Sequence, residues 1–402
     1  MDLVGIGILF FFLRKDFGPF VFVVMGSLAV FGPSELTPAK LIYLSTLVVL
    51  SIRSGVRTLR LLSPLVRNYY LSIFLVHAIF ILYMLFVCLY AGFSYLSIGR
   101  GLVPQVIFLL SLPIFFEAGI QLDSALLLRI CILSGFISAF SVYILWAQRH
   151  GLISLGFERF LYDGDWISFV SILIAVSARD MNYKLSLLEK SLVVLTVLLM
   201  FGSLSRTNFI LIFSIILGRQ LMKLKIRYFI SLFITSSALV LLSLKLSTLY
   251  IHSPNVIARR LAGSIHLISI GGLSSEGLGS DLSLKLRSDQ TQLAKAIFAE
   301  HPAFGIGLIP IDQTFDTIWA TPMQFGIIGT SLMAFLLLFL FNLSWKVSTN
   351  FRRTLVLFFL LLLPASFIYN WPSNKSFWVA IGFLIAFTLN LRREKMKSNY
   401  FY

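Results

Sequence analysis

Apolar residues in this chain gather into long blocks separated by short polar breaks. The blocks lie near 17–31, 39–52, 70–91, 103–119, 125–147, 164–178, 187–203, 207–218, 227–246, 322–344, 354–370 and 376–391. Crossing the hydrocarbon of a bilayer takes about 20 predominantly apolar residues of helix. Backbone groups there have no water to bond, so each crossing segment satisfies its own hydrogen bonds as a helix. The pattern therefore predicts an all-α fold: a polytopic transmembrane helical bundle of about twelve spans, forming a single integral membrane domain over 1–402. Several blocks are shorter than about 17 residues, and extension into their flanks or local thinning of the bilayer has to absorb the mismatch. Residues 3–13 offer one further short span. The first 13 residues have no basic leader and no small-residue cleavage site, so they are expected to stay with the chain.

One polar stretch, 247–321, is long enough to hold a site above a membrane. Its Gly/Ser-rich part, 271–279, reads as a link. Leu282, Leu286, Leu293 and Ile297 then recur at helical spacing with polar residues between them. This predicts an amphipathic helix over 282–300, capped by Ser280 or Asp281 and stopped by Pro302. Its apolar face is expected on the bundle or the membrane interface. No internal repeat is visible, which weighs against a transporter built from inverted halves.

Composition agrees with the pattern: 58% of residues are hydrophobic and 12% charged, where soluble domains average about 45–50% and about 25%. An ordinary water-soluble enzyme is excluded. The formal charge of +16, from 33 Lys and Arg against 17 Asp and Glu, does not indicate nucleic acid, because no polar basic domain exists to carry it. The cations sit in short clusters between apolar blocks, where they set orientation and meet anionic headgroups. One set of alternate loops, with the C-terminal tail, holds twenty of them. The opposite short loops hold Lys40, Arg100, Arg149, Arg159, Arg206 and Lys375. By the positive-inside rule the first set and both termini are cytoplasmic, and 247–321 lies outside. Cys88 and Cys131 both fall in apolar blocks, and no HExxH, P-loop or Cys/His cluster occurs. No metal and no cofactor are indicated.

Several polar residues are candidates for chemistry. Arg206, in Ser203-Leu-Ser-Arg206 between two short apolar blocks, is either a functional cation facing a wet cavity or a snorkelling residue at a helix end. Arg287 on the amphipathic helix, and the adjacent Arg259 and Arg260, have the planar fork that grips phosphate; they also read as ordinary surface arginines. Arg149 and Arg159, in the smaller outer loop, are either a second wall of a site or part of a solvated connector. His301 opens His301-Pro-Ala-Phe-Gly-Ile-Gly307, which reads first as a helix stop and tight turn. His77, mid-block, reads as a satisfied core histidine. Glu117 and Arg129 flank one turn and are expected to pair.

The order of these motifs resembles the O-antigen polymerase and O-antigen ligase superfamily of bacterial membrane glycosyltransferases. Ser203-Leu-Ser-Arg206 opens a span, one more span follows, and a long outer loop then carries Arg287 and His301-Pro-Ala-Phe-Gly-Ile-Gly307. Gly326-Ile-Ile-Gly329 begins the next span. The resemblance covers roughly 160–345 and, in hydropathy, the whole chain. It implies a GT-C-like fold and metal-independent glycosyl transfer at the periplasmic face of the Gram-negative inner membrane. An undecaprenyl-diphosphate-linked glycan would be donor, a second one acceptor, and a chain-length regulator a protein partner. The family pattern places Arg206 and Arg287 at the donor diphosphate. Ligases of the family carry a histidine before the next span; Ile311–Trp319 has none, and Asp316 stands near that place, where polymerases often have an acid. As a carboxylate it is a candidate general base, though a loop aspartate capping a turn explains it equally. The resemblance thus implies a repeat-unit polymerase, with the ligase second and, from another class, a polysaccharide flippase or exporter third.

Overall fold

The structure, a computed structural model, describes residues 17–29, 38–92, 95–149, 165–178, 183–202, 282–307, 319–347 and 375–399, with 212, 215, 352, 354–356, 358 and 359. Among the described residues there are ten helices and no strand: α1 (Gly18–Ala29), α2 (Pro38–Leu61), α3 (Pro64–Tyr90), α4 (Tyr95–Gln121), α5 (Ser124–Arg149), α6 (Asp165–Ser177), α7 (Leu187–Gly202), α8 (Leu282–Glu300), α9 (Ala320–Val347) and α10 (Lys375–Asn399). Five contain a segment long and apolar enough to cross a membrane: Leu41–Leu61, Val66–Tyr90, Leu102–Gln121, Ser124–Ile144 and Ala320–Asn342. The expected spans over 3–13 and 227–246, all of 207–218 except 212 and 215, and most of 354–370 lie outside the described residues.

Short apolar blocks gain length as expected, by extending into their flanks. The block at 39–52 becomes α2, with 24 residues, or about 36 Å of helix. Helix α6 differs, because its 13 residues reach only about 20 Å. Trp166, Ile167, Phe169, Val170, Leu173 and Ile174 are all buried. A helix that is apolar all round and buried belongs inside a bundle, so neighbours rather than lipid surround α6.

Small residues let the helices approach closely, as in other membrane bundles where lipid leaves packing and hydrogen bonds to drive association. On α5, a Cβ at Gly135 would stand 2.3 Å from Ser171 of α6, and the Ser168 hydroxyl donates to the Gly135 carbonyl at 2.9 Å. Helices α4 and α10 meet in the same way: Gly382 lies under the Phe115 ring and Gly119 against Ala386. Phe20 of α1 closes this contact edge-on against Phe115 and Phe383, at 5.6 and 5.4 Å between centroids.

The two ends of the bundle differ in chemistry. Around the turn between α4 and α5, Arg57 of α2 pairs with Glu117 at 3.4 Å, and Arg393 of α10 donates to the Ile120 and Leu122 carbonyls. Asn390 donates to the Leu122 carbonyl as well, at 2.6 Å. The expected pair of Glu117 with Arg129 does not form. Arg129 bonds Glu189 of α7 at 3.0 Å instead. Glu117 precedes the turn and Arg129 follows it, on helices whose facing sides are taken by α2 and α7 respectively. Glu189 also accepts from Tyr183 at 3.1 Å and from the Ser186 amide at 2.7 Å. Burial and the neighbouring carboxylate together push the Tyr183 phenol above its ordinary range.

Candidate functional site

At the other end of the bundle α9 is broken. Gly326 has φ 60° and ψ −169°, a conformation open essentially to glycine alone. A break of this kind frees backbone groups that lipid cannot satisfy. Here they are taken up by the turn that follows α8. The Ile327 and Ile328 amides donate to the Pro302 and Ala303 carbonyls at 2.8 and 3.2 Å. In return the Ile306 and Gly307 amides donate to the Met323 and Gln324 carbonyls at 3.0 and 2.8 Å. The two backbones interlock so closely that a Cβ on Gly326 would lie 2.2 Å from the Ala303 oxygen. One on Gly305, at φ 72°, would lie 2.5 Å from the Gln324 carbonyl.

A third element locks the break. The Tyr83 hydroxyl of α3 donates to the Phe325 carbonyl at 2.7 Å, with the Phe304 carbonyl at 3.2 Å. Tyr83 stands about 29 Å along α3 from Pro64, so the interlock and the basic turn occupy opposite ends of the bundle. Helix α8 docks onto the start of α9 through a small separate core. Ala294, Ala320 and Met323 are buried in it, with Ile297, Phe298, Ile306 and Trp319 packed around them. Lys295 carries its ammonium 5.6 Å from the centre of the Trp319 ring.

The amphipathic helix has the predicted bounds, 282–300, and stops before Pro302. Its predicted apolar face is only partly covered: Ile297 packs in the small core, whereas Leu293 is 52% exposed. His301 has the role of a helix stop. Its amide donates to the Ile297 carbonyl at 3.1 Å, its carbonyl accepts from Gly305 at 2.9 Å, and its side chain is exposed. Arg287 lies on α8 and Arg149 is the last residue of α5. Arg287 and His301 are about 21 Å apart along the helix axis, too far to hold one diphosphate together. Arg159, Arg206, Arg259, Arg260 and Asp316 lie outside the described residues, as do the expected caps Ser280 and Asp281.

The interlock limits what this end of α9 can do. A helix start ordinarily offers free amides to an anion. Here the amides at 327 and 328 are already bonded to carbonyls, so an anion at this end has to be held by side chains. Among the described residues no three His, Cys, Asp or Glu side chains converge as a metal site would require. Tyr83 was not legible in the sequence, since a tyrosine within an apolar block carries no signal of its own. The two glycine motifs were legible, but not that each fills the space the other leaves.

His77 sits deep between α3, α4 and α10. It is fully buried, with its ring among Phe108 and Trp378, centroids 5.0 and 5.2 Å away. Its Nε2 lies 3.0 Å from the Gln105 carbonyl and therefore carries the proton. The sequence suggested a satisfied core histidine; the ring is in the core, but its Nδ1 is buried with no partner among the described residues.

In comparison with known proteins, no protein-family model and no curated protein matches the chain.

Proposed function

We propose that the protein is a repeat-unit polymerase that joins lipid-diphosphate-linked oligosaccharides into a surface polysaccharide at the outer face of the inner membrane. The observation that carries this reading is the interlock of His301-Pro-Ala-Phe-Gly-Ile-Gly307 with Gly326-Ile-Ile-Gly329. Two of the short motifs on which the resemblance rests form one structural unit, at the end of the bundle away from the basic turn. The twelve-span count, the GT-C-like fold and the outward orientation belong to the same proposal.

In this reaction a hydroxyl oxygen of the acceptor sugar attacks the donor's anomeric carbon. The bond from that carbon to the diphosphate breaks, and the leaving lipid diphosphate takes the electron pair. Its growing negative charge is what a catalyst has to stabilise in the transition state. Arg206 and Arg287 are assigned to this task, since a planar guanidinium matches two phosphate oxygens at once. Asp316 is assigned the acceptor proton as general base. His301, distant from Arg287 along α8, is assigned to the glycan rather than the diphosphate. Arg149, Arg159, Arg259 and Arg260 are assigned to the walls that guide it.

A transporter draws on one specific observation, the broken helix α9, because such breaks line substrate sites in transporters. The polymerase reading is preferred because this break is filled by backbone from the same chain. Gel analysis of the surface polysaccharide from a deletion strain separates the readings. A polymerase defect leaves lipid A-core bearing a single repeat, since ligation still works. A core with no repeat at all contradicts the polymerase and favours the ligase or the flippase.

A further inference from the structure

The end of the bundle around the α4–α5 turn holds more positive charge than its described carboxylates balance. Glu117 is engaged by Arg57 and Glu189 by Arg129, while Asp123 accepts from the Ala125 amide at 3.2 Å. Arg60, Arg67, Lys184 and Lys190 are exposed there. Arg392 and Arg393 add two more charges at the point where α10 passes from apolar to basic sequence.

These two arginines differ from the others in being half buried. Arg393 spends both Nη nitrogens on the Ile120 and Leu122 carbonyls, which are neutral acceptors, and its Nε is shielded from solvent with no partner among the described residues. Nη1 of Arg392 is likewise shielded and without a partner among the described residues. Those shielded nitrogens are closed to an outside anion, but both arginines are only partly buried, and on the open side of Arg392 a phosphate oxygen can accept and supply the missing charge.

We propose that the junction of the α4–α5 turn with the end of α10 binds the phosphate of an anionic phospholipid. Arg392 donates to the phosphate, and Arg393, pinned to the Ile120 and Leu122 carbonyls, adds its charge. A lipid is the occupant, rather than a soluble phosphate, because the site lies where crossing helices leave the hydrocarbon. On α2, Ile52, Val56 and Leu59 flank Arg57 as exposed apolar side chains that acyl chains can cover. Basic clusters at helix ends hold anionic headgroups in this way. The proposal does not rest on the polymerase reading, because it concerns the end of the bundle away from the broken helix.

The test uses the full-length protein in neutral detergent, with native mass spectrometry and thermal unfolding. Dioleoylphosphatidylglycerol is expected to stay bound and to raise Tm, whereas dioleoylphosphatidylcholine and inorganic phosphate do neither. Arg392→Gln is expected to weaken retention of phosphatidylglycerol about tenfold, the loss of one charge-assisted hydrogen bond. Arg392→Lys keeps the charge but loses the planar fork, and its retention is expected to fall between the two. Equal retention of phosphatidylcholine overturns the proposal, as does equal stabilisation by inorganic phosphate. Wild-type retention in both variants overturns it too.

Discussion

At the scale of single residues, the glycines of the interlock separate two kinds of cost. Gly92 and Gly326 both have positive φ, at 74° and 60°. A Cβ on Gly92 would meet nothing within 4 Å, whereas one on Gly326 would overlap the Ala303 carbonyl. Gly92→Ala is therefore expected to lose only backbone strain, about 1 kcal/mol. Gly326→Ala adds a steric clash that neither backbone can relieve without breaking the shared hydrogen bonds, and its loss is expected to exceed that by about 2 kcal/mol or more. Thermal unfolding of the two variants in detergent measures the difference; equal Tm values would deny the interlock.

The arginines pose the chemical question at the same scale. Arg206→Lys keeps the charge and loses the fork, so the elongation rate is expected to fall about a hundredfold or more, with the protein still inserted. Arg287→Ala is expected to do likewise, and the double variant to lose less than the sum if both grip one diphosphate. Additive losses would place them on separate groups. Asp316→Asn is expected to slow transfer while sparing donor binding.

Among the elements, the bounds of α8 were legible because they rest on local chemistry: helical spacing of leucines and a proline stop. The break in α9 was not, since a glycine in an apolar block does not say whether a partner backbone will fill its space. The partners of Glu117 and Arg129 were hidden for a similar reason. Proximity across a turn is visible in sequence, but the arrival of α2 and α7 on opposite sides of it is a tertiary fact. One signal was nevertheless available, because Ser186-Leu-Leu-Glu189 is a capping box. In the structure the Glu189 carboxylate accepts from the Ser186 amide and the Ser186 hydroxyl accepts from the Glu189 amide. Glu189 is 3% exposed and holds three donors, while Glu117 makes one 3.4 Å contact to a half-exposed arginine. Glu189→Ala is accordingly expected to cost about 2 kcal/mol or more, and Glu117→Ala about 0–1 kcal/mol. Urea or thermal unfolding compares them directly, and a larger loss at Glu117 would reverse the ranking.

For the whole molecule, the sequence pattern divided the basic loops from the long polar stretch, and the described part of that stretch around 301–307 lies at the end of the bundle opposite the basic α4–α5 turn. Tyr83 and the interlock lie at one end of α3, with Arg57, Arg129 and Arg393 gathered near the other. Tags at Gly277 and Lys397 are expected to report opposite sides of the membrane, with Gly277 outside. Accessibility of both from one side would move the proposed site into the cytoplasm. What the sequence left open at this scale is what the two ends hold, because hydropathy registers charge and length but not which carboxylate reaches which arginine.

The central claim is that this bundle forms glycosidic bonds. Its most direct test is to give the purified protein lipid-diphosphate-linked repeat units in detergent, with chelator present, and to separate the products by length. The account predicts a ladder of elongated lipid-linked chains that is lost in Arg206→Lys. Starting material that stays at one repeat, while the same preparation reconstituted in liposomes moves it across the bilayer, would contradict the polymerase and make the protein a transporter.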